Sequence, residues 1–456
     1  MLDAWSKPRG RSSRLRAEHL LVITFAGLIL GGAILLRLPF CSAAEQVSFL
    51  DCLFTATSAV CVTGLTTVDT GTRWTMAGHV VILILIQLGG LGIMTFAAAA
   101  FQLFRARLSL TSDDALQGSF FHDETGRGEA PFWRIVKLTL AIEVVGAIII
   151  YVSLARGGEV HATWFEALFL SISAYCNAGF ATFSSNAVAL RENFVALIMI
   201  MFLIIAGGIG YSVLFESVDR FRAWWRKRRH TPLLWSLNTR VVILVSAVLC
   251  VGGGAVMVLT GMTGDEDTFY ERTLHAVFQS VSARTAGFNS VNVEMLPLPT
   301  ILILIALMFI GGSPGSCAGG IKTTSFAVGV ASAFSGTTGS DDLTLFGRRI
   351  PQDVIQRTSL VIGLAALWQI LGVMILTLTE RIGGDVRFEH LVFEQVSAFN
   401  TVGLSMNFSP KLSPAGKIWI MLSMFAGRVG PLTIGLAVLK RQQARFQYPV
   451  ERVMIG

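Results

Sequence analysis

Four short loops in this chain have the composition of a site that coordinates a dehydrated cation through backbone oxygens. The loops read VCVTGL, YCNAGF, RTAGFN and NTVGLS. A cation that sheds its water needs replacement oxygens, and the carbonyl groups of an extended loop supply them. A glycine in such a loop adopts positive φ and lets a carbonyl approach a common axis. Because the loops carry no acidic side chains at these positions, a filter for divalent cations is disfavoured.

The predicted ligands are the carbonyl groups of three consecutive residues in each loop. They are Val62, Thr63 and Gly64, Asn177, Ala178 and Gly179, Thr285, Ala286 and Gly287, and Thr401, Val402 and Gly403. The residues before each glycine differ in type, which is expected where the backbone binds the ion. One such triplet would carry little information, whereas four at intervals of about 110 residues indicate an internal repeat.

A short apolar segment precedes each loop and is predicted to form a helix that enters the membrane only part of the way. The four segments are 48–59, 163–174, 272–283 and 387–398. Such a helix is about 18 Å long, whereas the hydrocarbon core is about 30 Å thick. The partial negative charge at its carboxyl end favours a cation at the loop. Four interfacial helices on the outer surface are the alternative, but that interpretation leaves the repeated glycine loop unexplained.

Composition and longer apolar segments define the fold class. The chain has 456 residues, of which 53% are hydrophobic and 14% charged, whereas soluble domains carry about 25% charged residues. We predict an all-α integral membrane protein with eight transmembrane helices, arranged as four parallel helix–pore loop–helix repeats around a central pore. The eight predicted spans are 19–39, 76–101, 133–155, 193–218, 239–261, 299–335 with an interruption, 354–380 and 414–440.

The repeat assigns boundaries along the whole chain. We predict a basic cytoplasmic N-terminus at 1–18, repeats at 19–107, 133–221, 239–340 and 354–441, and a cytoplasmic tail at 442–456. The third repeat departs in register, because its Ser282-Ala283 pair lies one residue closer to the glycine than the corresponding pairs. We therefore expect pseudo-fourfold symmetry. The glycine-rich stretches GGLG at 89–92 and GGIG at 207–210 are predicted to be close-packed or hinge positions.

The distribution of basic residues predicts the orientation in a membrane. Twenty-four of the 36 lysines and arginines fall at the termini and in the connections between repeats. The positive-inside rule then places both termini in the cytoplasm and the glycine loops near the outer face of the plasma (cell inner) membrane. The densest basic stretch, 220–230, is interpreted as an anchor on anionic membrane lipid, with a docking surface for a cytoplasmic partner as the alternative.

Ten residues interrupt the second span of the third repeat and are predicted to form a flexible intramembrane gate. They are Gly311, Gly312, Ser313, Pro314, Gly315, Ser316, Cys317, Ala318, Gly319 and Gly320. Five glycines and a proline do not continue a helix. Irregular backbone at membrane depth is tolerated only where protein or water satisfies it. A kink that allows tight packing is the alternative.

Arg428 is predicted to be the second element of the gate. It lies about 21 Å into its span, too far from either end for its side chain to reach the interface, so it must face a polar interior. There it would repel a second cation or hold the glycine-rich loop through its carbonyl groups. A structural ion pair, with Glu143 as the partner, is the alternative.

Taken together, VCVTGL, NAGF, ARTAGFN, TVGLS, GGSPGSCAGGIKTT and GRVGPLT resemble the motifs of the Trk/Ktr/HKT superfamily of potassium transporters. The likeness runs from about residue 19 to the C-terminus and is greatest to the Ktr membrane subunit, KtrB, rather than to longer TrkH-type subunits. It implies selectivity for K⁺, since all four filter glycines are present. It also implies that 311–320 is the intramembrane loop and that Arg428 is the pore arginine. Cys317 departs from the family pattern, which usually has threonine there.

The resemblance also implies partners. They are a second copy of the chain, forming a homodimer with one pore per subunit, and a cytoplasmic ring of nucleotide-binding regulatory subunits similar to KtrA. The chain itself contains no glycine-rich nucleotide motif on a strand–helix–strand pattern. No organic cofactor and no nucleic-acid partner are expected.

The function predicted from these observations is uptake of potassium ions through a selective, channel-like pore gated by the loop and the arginine. Na⁺ is a second candidate ion, as a regulator or as a co-transported species. The alternative is a secondary cation symporter with alternating access, for which inverted repeats would be expected. An enzyme is not predicted, because the histidines and charged residues are too scattered to form a catalytic cluster.

Overall fold

The computed structural model describes residues 17–43, 46–108, 131–156, 162–225, 235–261, 268–337, 343–380, 383 and 386–430. Nearly all of the predicted N-terminal segment, the end of the fourth repeat and the predicted C-terminal tail lie outside these described residues. Residues 226–230 of the basic stretch 220–230 also lie outside them.

The described part is mostly helical, as the composition predicted. Its helices are α1 (Ala17–Leu36), α2 (Phe49–Val60), α3 (Thr70–Arg73), α4 (Met76–Leu108), α5 (Pro131–Arg156), α6 (Trp164–Tyr175), α7 (Phe194–Gly208), α8 (Tyr211–Trp225), α9 (Leu237–Thr260), α10 (Phe269–Ser282), α11 (Leu298–Phe309), α12 (Thr323–Thr337), α13 (Gln352–Thr379), α14 (Phe388–Phe399) and α15 (Pro414–Val429). Two short antiparallel strands, β1 (Thr344–Leu345) and β2 (Arg348–Arg349), pair Thr344 with Arg349.

The four short helices α2, α6, α10 and α14 occupy the segments predicted for them, and polar residues fix three of their starts. Ser48 accepts a hydrogen bond from the backbone N–H of Asp51 at 3.1 Å. Thr163 with Glu166, and Thr268 with Glu271, form reciprocal capping boxes. Such caps satisfy the backbone donors left free in a first helical turn and place negative charge at its positive end.

Helix packing closes the four repeats into a ring. Within each repeat the first long helix packs along the short helix: α1 on α2, α5 on α6, α9 on α10 and α13 on α14. The second long helix of each repeat then contacts the short helix of the next: α4 meets α6, α7 meets α10, α11 meets α14, and α15 returns to α2. The short helices are therefore held on two sides at the centre of the molecule.

An ion pair reinforces the contact between the last repeat and the first. Lys417, in α15, donates to the carboxylate of Asp51, in α2, at 2.7 Å. Burial of that carboxyl would raise its pKa, but hydrogen bonds from Lys417 and Ser48 outweigh the effect and hold the pKa below its ordinary value. Residues 366 positions apart in the chain thus meet where the ring closes.

Three described helices are long and apolar enough to cross a membrane by themselves, at 132–156, 237–260 and 352–379. A helix begins within a few residues of the start of every predicted span, but several of these helices are shorter or interrupted. The predicted span 193–218 differs most, because α7 and α8 meet at an angle of 109°. Gly210 allows the bend with φ of 87°. The count of eight spans remains a prediction.

The second long helices approach the ends of the short helices closely at glycines. A β-carbon on Gly207 would lie 1.7 Å from the carbonyl oxygen of Tyr175, and one on Gly89 would lie 2.1 Å from that of Val60. Gly427 approaches the carbonyl of Phe399 in the same way. These glycines therefore set the distance at which the long helices support the glycine loops.

We predict that Gly207→Ala destabilises the protein by about 1–3 kcal/mol, because the added methyl group forces backbone apart. Gly252→Ala is the matched control, since a β-carbon there meets nothing within 4 Å. The control should be neutral or stabilising by up to about 1 kcal/mol through better helix propensity. Thermal unfolding in detergent would compare the two, and equal midpoints would contradict the close-packing assignment.

Candidate functional site

The four predicted loops meet in a closed ring at the carboxyl ends of the short helices. A β-carbon built on Gly64 would lie 2.5 Å from the carbonyl oxygen of Ala178 in the next loop. The same relation holds from Gly179 to Ala286 O at 2.8 Å, from Gly287 to Val402 O at 2.6 Å and from Gly403 to Thr63 O at 2.0 Å. Each glycine thus faces the carbonyl group that precedes the glycine of a neighbouring loop, and the fourth loop returns to the first.

The backbone conformation repeats with the same regularity. The residue two positions before each glycine has positive φ: Val62 at 56°, Asn177 at 58°, Thr285 at 72° and Thr401 at 52°. The glycines themselves have φ between 70° and 99°. Positive φ is rare for β-branched residues such as valine and threonine and costs on the order of 1–3 kcal/mol. Four loops in one uncommon conformation point to a functional requirement on where their carbonyl groups lie.

Serine residues at the helix ends hold this conformation. In the first, second and fourth loops the residue before the glycine donates its N–H to the carbonyl of a serine five positions earlier: Thr63 to Ser58 at 2.8 Å, Ala178 to Ser173 at 2.7 Å and Val402 to Ser397 at 2.8 Å. The hydroxyls of Ser58 and Ser397 also accept from the N–H groups of Gly64 and Gly403, at 3.0 and 3.1 Å. These bonds cap the short helices in the manner of a Schellman motif.

The third loop is built differently, in agreement with its shifted register. Ala286 donates to Ser282 O across four residues rather than five, at 2.9 Å. The Ser282 hydroxyl turns to the carbonyl of Phe288 rather than to the glycine N–H. The ring is accordingly only pseudo-fourfold.

Three threonine side chains of the loops are buried. The hydroxyls of Thr63, Thr285 and Thr401 have no hydrogen-bond partner within the described part of the chain. The Oγ1 of Thr401 lies beside Gly319 of the predicted gate. The oxygens that all four loops have in common are backbone carbonyl groups, which are neutral and suit a monovalent cation.

The predicted gate residues 311–320 form an irregular loop between α11 and α12. Its base is closed by two backbone hydrogen bonds, from Gly311 N to Ile321 O at 2.8 Å and from Thr323 N to Gly312 O at 3.0 Å. On one side the loop contacts the fourth glycine loop, where a β-carbon on Gly319 would lie 2.2 Å from Thr401 Oγ1. The loop is therefore in direct contact with the ring.

On its other side the same loop is held by the bend between α7 and α8. Ser313 N donates to Gly208 O at 2.9 Å and Cys317 N donates to Gly207 O at 3.2 Å. In return, Tyr211 N donates to Gly315 O at 3.1 Å. The carbonyl groups released where α7 ends thus satisfy the loop, which explains both the bend and the tolerance of irregular backbone.

Two cations, the buried Arg428 and the partly buried Lys322, lie against the loop. Arg428 donates from Nη1 to the carbonyl of Cys317 and from Nη2 to the carbonyl of Gly89 at 2.8 Å. Lys322 donates from Nζ to Ala318 O at 2.6 Å. The arginine thereby links α15, the loop and α4. The predicted alternative of an ion pair with Glu143 is wrong, because the Glu143 carboxylate accepts instead from Gln87 Nε2 at 3.1 Å.

Sequence reasoning missed several contributors to the site. No role is predicted for Lys322 from the sequence. Its signal was its position directly after a glycine-rich intramembrane segment, because a charged side chain at such a depth usually marks a functional site. The capping role of Ser58 and Ser397 was also missed, and its signal was the Ser-Ala pair that each repeat carries before its glycine. Gly89 and Gly208 lie in the two stretches predicted to be close-packed or hinge positions, but nothing in the sequence indicates that their carbonyl groups are acceptors.

Comparison with known proteins agrees with this geometry. The family model TrkH, described as a cation transport protein, matches residues 9–448. The potassium/sodium uptake protein NtpJ of Enterococcus hirae is 34% identical over 453 residues, which cover 97% of this chain and 98% of that protein. The Ktr system potassium uptake protein B of Bacillus subtilis is 35% identical over 454 residues, covering 97% of both chains.

A solved structure is similar in fold. The crystal structure of the potassium transporter TrkH from Vibrio parahaemolyticus matches with a TM-score of 0.73 and 18% sequence identity. The match covers 95% of this chain and 87% of that one. At this identity the likeness establishes the fold.

We predict that Arg428→Gln lowers the stability of the protein by about 2 kcal/mol or more, because hydrogen bonds to a buried charged group contribute about 1.5–3 kcal/mol each. Arg134→Gln is the matched control, since that arginine pairs with Asp219 at 2.6 Å while both side chains remain a third to a half exposed. Such a pair contributes about 1 kcal/mol at most. Thermal midpoints in detergent should separate the two variants, and a control as destabilised as Arg428→Gln would contradict the assignment.

Proposed function

Since the chain belongs to the TrkH family of cation transport proteins, we propose that it takes up K⁺ across the plasma membrane through a selective, channel-like pore. The observation that carries this proposal is the closed ring of four glycine loops, each in the same uncommon backbone conformation. The names of the relatives from Enterococcus hirae and Bacillus subtilis, both potassium uptake proteins, support K⁺ as the ion. Family membership makes the protein a multi-pass membrane transporter rather than an enzyme.

The proposed pore is the axis of the ring. Four parallel helix–loop–helix repeats, with the boundaries predicted from the sequence, would supply eight transmembrane helices around it. The contacts that return from α15 to α2 support this closure. Both termini lie in the cytoplasm in this arrangement, as the positive-inside rule predicts.

The proposed filter consists of the twelve residues assigned from sequence, from Val62 to Gly403. Carbonyl oxygens replace the hydration shell of K⁺ and the paired positive-φ positions fix their spacing. The carboxyl ends of the short helices add partial negative charge. A potential negative inside then drives uptake with about 2.3 kcal/mol per charge per 100 mV.

The proposed gate is the loop 311–320 together with Arg428. The loop touches the fourth glycine loop on one side and receives the guanidinium of Arg428 on its Cys317 carbonyl. Moving this loop would require exchange of the hydrogen bonds that hold it and release of its buried side chains, Cys317 and Ala318 among them. The positive charges of Arg428 and Lys322 oppose the passage of a second cation while the loop is in place.

Partners and a second ion complete the proposal. The relative from Bacillus subtilis is protein B of a Ktr system, which supports assembly with a KtrA-like cytoplasmic ring of nucleotide-binding subunits. A homodimer with one pore per subunit is proposed on the same basis. The relative NtpJ is named for potassium and sodium, which supports stimulation of uptake by Na⁺.

Influx of K⁺ or ⁸⁶Rb⁺ into proteoliposomes, measured with an imposed voltage and with Na⁺ as competitor, tests the function. We expect a flux that depends on the potential and persists in a large excess of Na⁺. Flux that appears only with Na⁺ present would favour coupled transport. Absence of flux with the regulatory ring added would overturn the proposal.

We predict that Gly64→Ser lowers the K⁺ over Na⁺ permeability ratio about tenfold or more, equivalent to about 1.4 kcal/mol of discrimination. The serine would be strained at φ of 99°, and its β-carbon would press on the Ala178 carbonyl. Gly252→Ser makes the same chemical change in open space and should leave the ratio unaltered. The ratio is measured from reversal potentials or paired fluxes, and an unchanged value in Gly64→Ser would count against the filter.

A further inference from the structure

The thiol groups of Cys176 and Cys317 meet beside one glycine of α4. A β-carbon built on Gly90 would lie 2.8 Å from Cys176 Sγ and 3.4 Å from Cys317 Sγ. The Sγ atoms of the two cysteines are therefore neighbours. All six cysteines lie in the described part of the chain, where they are buried and form no disulfide.

These two cysteines belong to the two parts of the site that would have to separate when the loop moves. Cys176 caps the carboxyl end of α6, one residue before the second glycine loop. Cys317 lies in the middle of the loop 311–320, where its N–H binds Gly207 O and its carbonyl accepts from Arg428. These hydrogen bonds and the packing of its side chain in the apolar core hold Cys317 in place.

Polar groups surround the Cys176 thiol. The Sγ of Cys176 donates to Gln87 Oε1 at 3.6 Å and lies 3.9 Å from Glu143 Oε1. Glu143 is 1% exposed and, beyond the thiol, is bound by the amide of Gln87. A thiol must lose its proton before it acts as a nucleophile.

We propose that Cys176 and Cys317 are a reversible disulfide pair, and that a peroxide closes it to lock the loop 311–320 against the second glycine loop. The thiolate of Cys317 attacks the peroxide O–O bond, forms a sulfenic acid and releases hydroxide. The thiolate of Cys176 then attacks that sulfur, and the S–S bond forms as a second hydroxide leaves. The two thiol protons and the two hydroxides give water, so two electrons pass from the thiols to the peroxide. A dithiol reductant reverses the bond by thiol–disulfide exchange.

The effect on transport rests on the proposed function, because the lock acts by immobilising the proposed gate. Oxidised protein should carry K⁺ at least tenfold more slowly than reduced protein. The disulfide would add a covalent bond to the noncovalent contacts of the loop 311–320. The loop would then stay against the ring.

The test uses full-length protein in which Cys41, Cys52 and Cys250 are replaced by serine, so that three thiols remain. After treatment with a small excess of hydrogen peroxide and unfolding in detergent, thiol titration should fall from three to one. Peptide mass mapping should find residue 176 linked to 317. Adding Cys61→Ser should leave this loss of two thiols intact, whereas Cys176→Ser or Cys317→Thr should abolish the link. Dithiothreitol should restore the titre.

Flux measured on the same samples separates this inference from the proposed function. We expect peroxide to inhibit K⁺ flux, dithiothreitol to restore it, and peroxide to lose its effect on the Cys317→Thr variant. An unchanged thiol titre, or a link to Cys61, would overturn the disulfide pair. A 176–317 link that leaves flux unaltered would overturn the lock. Absence of flux from the reduced protein would instead argue against the proposed function.

Discussion

The close approach of four glycines is the constraint on which the remainder of the structure depends. The backbone of each loop comes so near the next that a β-carbon at any of the four positions would lie 2.0–2.8 Å from a carbonyl oxygen. Loops this close are held only if the helices behind them are held as closely. The glycines of α4, α7 and α15 that touch the ends of the short helices provide that second layer of contact. Two layers of glycine contacts therefore determine how the long helices position the ring.

The irregular loop beneath the ring follows from a second constraint, which is that a buried backbone must find hydrogen-bond partners. Membrane lipid offers none, so the partners are carbonyl groups of Gly207 and Gly208, the N–H of Tyr211 and the side chains of Lys322 and Arg428. This need for partners has two consequences. The chain bends by 109° between α7 and α8, and Arg428 binds backbone carbonyl groups instead of a carboxylate. The loop is also packed, since Cys317 and Ala318 are each 1% exposed. Hydrogen bonds and burial together hold it against the ring.

The third predicted repeat differs from the other three in several places. Its glycine loop is one residue out of register, its capping serine binds a different carbonyl, and its second long helix is interrupted by the loop 311–320. The other three repeats keep an unbroken approach between the second helix and the end of the short helix, at Gly89, Gly207 and Gly427. Three of the four loops are thus supported in the same way, and the ring includes one loop that is not.

The sequence by itself determined the helical class, the four short helices with their glycine loops, the interruption at 311–320 and the register shift of the third repeat. These are local properties, set by hydrophobic runs, capping residues and glycine or proline content over about a dozen residues at a time. Only the tertiary structure decided that Arg428 binds the carbonyl groups of Cys317 and Gly89 rather than Glu143. It also decided that the chain bends at Gly210, between α7 and α8, and that the thiols of Cys176 and Cys317 lie beside Gly90. These contacts join residues about 100 to 340 positions apart, and their partners are mostly backbone groups, which every residue carries and no residue type identifies.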